Sequence, residues 1–97
     1  MRNLPPIRMS DDVSAFIRTL HPILKKRVHA ALHEIRTDPD SGKALRDDLA
    51  GYRSLRIGKF RIVYRRGARK EIEIVAVGPR RTIYEETVRL IAKSKET

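Results

Sequence analysis

A chain of 97 residues with 40% hydrophobic side chains, no tryptophan and no cysteine has room for one modest core, and neither disulfides nor a thiolate metal site can hold it together. No apolar run approaches membrane-spanning length, and the opening Met1-Arg2-Asn3-Leu4-Pro5-Pro6 lacks an apolar signal region, so a cytoplasmic protein of one domain over residues 1–97 is expected. The net charge of +10 is concentrated, with 12 basic and 4 acidic side chains in residues 43–81; this favours a polyanionic partner, nucleic acid or an acidic protein, over a basic surface kept for solubility.

Ile7-Arg8-Met9, after Pro5-Pro6, reads as a short first strand. Ser10 then offers a helix N-cap, with Asp11 and Asp12 on the positive end of the macrodipole. Val13, Phe16, Ile17 and Leu20 follow at i, i+3, i+4 and i+7 as one apolar stripe. His21-Pro22 interrupts that helix and starts a second, since proline suits a first helical position. The second helix has an apolar face of Leu24, Val28, Ala31, Leu32 and Ile35 and an outer face carrying Lys25, Lys26 and Arg27, and the turn cluster Asp38-Pro39-Asp40-Ser41-Gly42 ends it. Residues 43–51 read as a polar connection, with Leu45 and Leu49 tucked against the core.

Residues 52–65 carry the strongest local signal, a β-hairpin turning at Gly58-Lys59. Glycine first in a two-residue loop suits a type II′ turn, which needs positive φ there. This turn sets Ile57 opposite Phe60, Arg56 opposite Arg61 and Leu55 opposite Ile62. Alternation then gives a core face of Leu55, Ile57, Phe60, Ile62 and Tyr64, and a second face of Ser54, Arg56, Arg61, Val63 and Arg65. Two arginines directly opposed on a sheet repel, a cost that an anion held between them offsets.

Gly67-Ala68-Arg69-Lys70 is a second turn, and Glu71–Val77 a third strand of the meander, with Ile72, Ile74 and Ala76 on one face and Gly78-Pro79 as its stop. Thr82 is a candidate N-cap with Glu85 as capping-box partner, opening a helix from about Ile83 to Lys93 whose apolar positions are Ile83, Val88, Leu90 and Ile91; the tail Ser94–Thr97 is expected to fray. The order β-α-α-β-β-β-α describes an α+β fold. A two-helix hairpin packs on one face of a small, mostly antiparallel four-stranded sheet, and the C-terminal helix lies at the rim of the other face.

Three segments together resemble the RelE/ParE superfamily of toxins from type II toxin–antitoxin systems: Leu55-Arg56-Ile57-Gly58-Lys59-Phe60-Arg61-Ile62-Val63-Tyr64, then Ile72 to Arg80, then Tyr84-Glu85. The resemblance spans nearly the whole chain and favours the RelE-like branch, whose members are ribosome-dependent mRNA endonucleases; ParE-like members poison DNA gyrase and lack the basic catalytic set. It implies a catalytic set of Arg56, Arg61, Arg80 and Tyr84, with Arg53, Ser54, Lys59, Arg65 and Arg81 as further RNA contacts. It also implies partnership with a cognate antitoxin, ribosome and mRNA, and no metal or other cofactor. In one respect the chain departs from the pattern. Of the two lysines on the strand before the hairpin, the second falls on Arg56 and the first on Ser54.

That departure matters chemically. Cleavage of RNA by its own 2′-hydroxyl needs a base for that proton, charge to hold the phosphorane and an acid for the leaving 5′-oxygen. Arginine forks phosphate oxygens but stays protonated, so Arg56, Arg61 and Arg80 suit charge stabilisation, with Arg80 able to orient or protonate the leaving oxygen. Tyr84 suits base stacking or proton transfer, and Lys59 or Glu85 are the candidate bases. His29 and His33, at i, i+4, lack a completing carboxylate or cysteine and read as surface or packing residues, as does His21. Tyr52 and Tyr64 read as packing residues; Lys25, Lys26 and Arg27 as a solvated helix face; Arg66, Arg69 and Lys70 as general phosphate contacts. The alternatives to a nuclease are a gyrase-binding toxin and a degenerate toxin that only partners its antitoxin.

Overall fold

The computed structural model describes residues 4–95. In chain order these form β1 (Ile7–Met9), α1 (Asp11–Thr19), α2 (Pro22–Thr37), β2 (Lys43–Ala44), β3 (Arg53–Ile57), β4 (Phe60–Arg66), β5 (Ile72–Pro79) and α3 (Ile83–Lys95), with a 3-10 turn at Asp47–Leu49. Local chemistry sets the helix starts. Val13 N donates to Ser10 Oγ at 3.2 Å, and Asp11 and Asp12 occupy the first turn of α1. α2 has no hydroxyl cap; Ile23 N donates to His21 Nδ1 at 3.2 Å, and Pro22 fills the first helical position. At α3, Glu86 N donates to Thr82 O at 3.1 Å. The capping box is not formed among the described residues; Glu85 turns outward to Arg89 at 3.9 Å instead.

The sheet order is β1-β5-β4-β3-β2. β1 runs parallel to β5 after the α1–α2 crossover, and the other pairings are antiparallel. The expected register across the Gly58-Lys59 turn is present, with Ile57 opposite Phe60, Arg56 opposite Arg61 and Leu55 opposite Ile62. Five strands stand where four were expected. Lys43 and Ala44, read as part of a polar connection, pair with Ser54 and Arg53 as an edge strand; two residues are too few to leave a periodic signal. α3 continues to Lys95, past the expected end at Lys93, and the last residues of the tail expected to fray lie outside the described residues.

The sheet is covered on both faces. On one, Val13, Ile17, Val28, Leu32 and Ile35 of the helical hairpin bury Ile57, Ile62, Tyr64, Ile72 and Ile74. On the other, Ile83 of α3 closes over Val63 and Ala76, with Leu45, Tyr52 and Tyr84 around them. A bulge divides β5 between these cores. Val63 pairs with Ala76 while Tyr64 pairs with Ile74, leaving Val75 as the extra residue. Ala76 therefore does not share a face with Ile72 and Ile74 as strict alternation predicts; it turns towards α3, and Val77 packs with the helical hairpin instead. α3 also differs from its predicted apolar pattern: Thr87 is buried and Leu90 is 46% exposed.

Tyr64, fully buried, ties the sheet to the loop before β2. Its hydroxyl donates to Pro39 O at 2.8 Å and accepts from Gly42 N at 2.9 Å. Gly42 serves this close approach more than a turn, since a Cβ there would stand 2.7 Å from the hydroxyl.

Candidate active site and RNA interface

The site lies on the α3 side of the β3–β4 hairpin, where the pleat directs Ser54 and Arg61. Gly58 has φ of 59°, and Lys59, the second turn residue, is not among the positive-φ positions, the pattern of a type II′ turn. The Arg61 Nη1 donates to Ser54 Oγ at 3.1 Å, and the Tyr84 hydroxyl donates to the same oxygen at 3.2 Å. The Arg61 guanidinium carbon also stands 6.0 Å from the Tyr84 ring centroid, within cation–π reach. Ser54 is only 2% exposed, so both bonds form in a desolvated setting. Ile83, anchored over Val63, delivers the neighbouring Tyr84 to that oxygen.

Arg61 Nε is buried and has no hydrogen-bond partner. Burying a donor unsatisfied costs about 1–3 kcal/mol, and such groups mark ligand sites and strain reservoirs. Around this inner trio the predicted cations divide. Arg56 is exposed and curls onto its own turn, its Nε donating to Gly58 O at 3.2 Å. Arg80 is exposed beside the turn, its backbone N donating to Lys59 O at 2.8 Å, and Lys59 and Arg81 are exposed too. Arg56, Lys59 and Arg80 thus surround the hairpin tip, outside the Arg61–Ser54–Tyr84 group.

Two predicted RNA contacts have other engagements. Arg53 sits at the β2 edge, where its Nη1 donates to Gly42 O at 2.8 Å and its Nη2 pairs with Asp40 at 3.4 Å, bracing the loop that Tyr64 holds. Arg65 pairs with Glu73 at 3.3 Å and stacks 5.5 Å from the centre of Tyr52. It lies four residues along β4 from Arg61, roughly 13 Å at the usual strand rise. His29 and His33 are exposed on α2. A groove of about 520 Å³ lies between β1, β5 and α3, and Arg8, Tyr52, Arg65, Glu73, Leu90 and Ile91 are among its lining. Ser54, Arg61 and Tyr84 do not line it. The basic surface is open, a form that suits an extended backbone more than an enclosed small molecule.

Sequence reasoning named Ser54 as an RNA contact without its bonding role, and it missed Glu86. Ser54 looks like the loss of a cation but is the shared acceptor that seats Arg61 and Tyr84. Glu86, passed over for Glu85, projects back to the sheet: its Oε2 would stand 3.6 Å from a Cβ built on Gly78, the cross-strand partner of Arg61. The helical i, i+3 relation to buried Ile83 was the available signal for Glu86.

The family model of the ParE toxin of type II toxin–antitoxin systems, parDE, matches residues 8–84. The chain belongs to this family. Among solved structures, the toxin resembles a chain of the RelBE2 toxin–antitoxin complex from Mycobacterium tuberculosis, at 27% identity and a TM-score of 0.68, covering 80% of this chain and 100% of that one. The E. coli toxin RelE, as an arginine-to-alanine double mutant in the free state, shares the fold at 15% identity and a TM-score of 0.74, over 95% of this toxin and 98% of RelE. A chain of the YoeB–YefM complex from Staphylococcus aureus does so at 20% identity and 0.63, over 75% and 93%. No curated protein matches the toxin in sequence.

Proposed function

We propose that this toxin is a ribosome-dependent endoribonuclease that cuts messenger RNA in the decoding site. The observation that carries the reading is the convergence of the Arg61 guanidinium and the Tyr84 hydroxyl on Ser54 Oγ, with Arg61 Nε buried and unpaired beside them. A scissile phosphate would take that free donor. Arg61 would stabilise the phosphorane charge, Arg56 and Arg80 would close on the phosphate from the hairpin tip, and Tyr84 would stack on a base or pass a proton to the leaving 5′-oxygen. Lys59 and Arg81 would hold the flanking backbone, while Arg53 and Arg65, already engaged, would contribute less. The RelE-like fold supports this reading. A cognate antitoxin, acidic or amphipathic, would neutralise the toxin by laying a helix over its surface and blocking or displacing α3; the similar RelBE2 chain was solved in a toxin–antitoxin complex.

A translation extract tests the reading: added toxin should cut message between codons, and intact message would defeat it. The second reading, a gyrase-binding toxin, draws on the ParE family match and on Ser54 in place of a base. Under that reading message survives while gyrase-dependent supercoiling fails.

A further inference from the structure

A nuclease that acts through arginines lacks a group able to remove the 2′-hydroxyl proton, because guanidinium stays protonated. The two bases that the sequence offered do not answer this need. Glu85 points outward on α3, away from the sheet, 3.9 Å from Arg89 on the exposed side of the helix. Lys59 is an exposed turn cation. The geometry points to Glu86, one residue further along α3, as the catalytic base of this toxin, an assignment that rests on the nuclease reading above.

Three features support it. Glu86 shares the sheet-facing side of α3 with Ile83, three residues earlier, which is fully buried. Its carboxylate hangs over Gly78, the cross-strand partner of Arg61, where a Cβ would stand 3.6 Å from Oε2. Ile83 Cδ1 fills the near side of that space, 3.1 Å from such a Cβ, and Gly78 adds no side chain of its own at the end of the cross-strand row Arg56, Arg61, Gly78. Among the described residues Glu86 forms no ion pair, whereas Glu85 and Glu73 each do. An acceptor-only group beside the phosphate-binding arginines, exposed and not committed to another partner, is what deprotonation of a ribose hydroxyl requires.

In the step assigned here, a Glu86 oxygen takes the proton of the 2′-hydroxyl. The 2′-oxygen forms its bond to phosphorus, and the bond from phosphorus to the 5′-oxygen breaks. The leaving 5′-oxygen takes the Tyr84 phenolic proton, and the proton gained by Glu86 returns to Tyr84 through solvent. The products are a 2′,3′-cyclic phosphate and a 5′-hydroxyl, with no net change in protons or oxidation state.

Ribosomes programmed with a defined message, combined with Glu86→Gln and Glu86→Ala toxins, test the assignment. Glu86→Gln should cut roughly 100-fold or more slowly, the scale of a lost general base. It should bind ribosomes carrying a 2′-O-methyl message, which cannot be cut, at least as tightly as the unaltered toxin, since a negative charge has left the phosphate site. Added formate should restore part of the Glu86→Ala rate, a readout that a purely structural role would not move. Loss of less than tenfold in Glu86→Gln, an equal loss of binding, or no rescue by formate each overturns the base. If the unaltered toxin leaves the message whole, the nuclease reading falls and the base falls with it.

Discussion

At the scale of residues, Ser54 decides what the arginines can do. Its hydroxyl accepts from both Arg61 and Tyr84 while 98% of its surface is out of water. Ser54→Ala leaves two donors facing an apolar wall; at about 1–3 kcal/mol for each group left unpaired, chemical denaturation should show a loss of at least 1 kcal/mol. Cleavage should fall with it, because Tyr84 loses its anchor. Ser54→Lys, which supplies the cation that the family pattern has at this position, should not raise activity. A lysine here would bury its charge next to Arg61, so the variant should be less stable than Ser54→Ala, and a more active Ser54→Lys would refute this account. Arg61→Ala removes a bond to Ser54 and the stacking on Tyr84, but also an unsatisfied buried donor. These contributions oppose each other at about 1 kcal/mol apiece, so the midpoint of unfolding should barely move, while cleavage should drop about 10²–10³-fold with loss of a preorganised charge.

At the scale of elements, the two faces of the sheet serve different ends, and substitutions can separate them. Tyr64 belongs to the helical-hairpin core and pins the loop carrying Pro39 and Gly42. Tyr64→Phe orphans a half-buried carbonyl and a buried amide and should cost about 1–3 kcal/mol with cleavage by the folded fraction unchanged. Ile83→Ala instead opens a cavity under α3; it should cost about 2–5 kcal/mol and loosen Tyr84 from Ser54, so activity should fall at temperatures where the protein is still folded. The hairpin half of this arrangement was legible in the sequence, because a glycine-led two-residue turn fixes register and register fixes faces. The β5 half was not. The bulge at Val75 adds one residue within an otherwise uniform apolar run, and alternation carries no mark of where it falls. β2 was hidden by its length of two residues. Glu85 and Glu86 stand side by side in sequence, and only the seating of Ile83 on the sheet tells which of them turns towards Gly78. Strand alternation directs Arg53 to the face opposite Ser54, but its Asp40 partner depends on how the loop folds.

At the scale of the whole molecule, the net charge of +10 sets association more than chemistry. Arg56, Lys59, Arg61, Arg80 and Arg81 are free of carboxylate partners among the described residues, whereas Arg53 and Arg65 already neutralise Asp40 and Glu73. If the free group contacts phosphates, binding of a single-stranded, 2′-O-methyl RNA should weaken with salt. With about 0.7 counterions released per phosphate contact, five contacts give a slope of log K against log salt near −3.5. Arg80→Ala and Arg81→Ala should each flatten the slope by about 0.7, while Arg53→Ala should leave it unchanged. The contrast between Arg80 and Arg53 is the discriminating comparison, because a diffuse response to net charge would treat the two substitutions alike. Equal flattening by both would mean that the field of the whole toxin, and not the surface around the hairpin tip, holds the RNA.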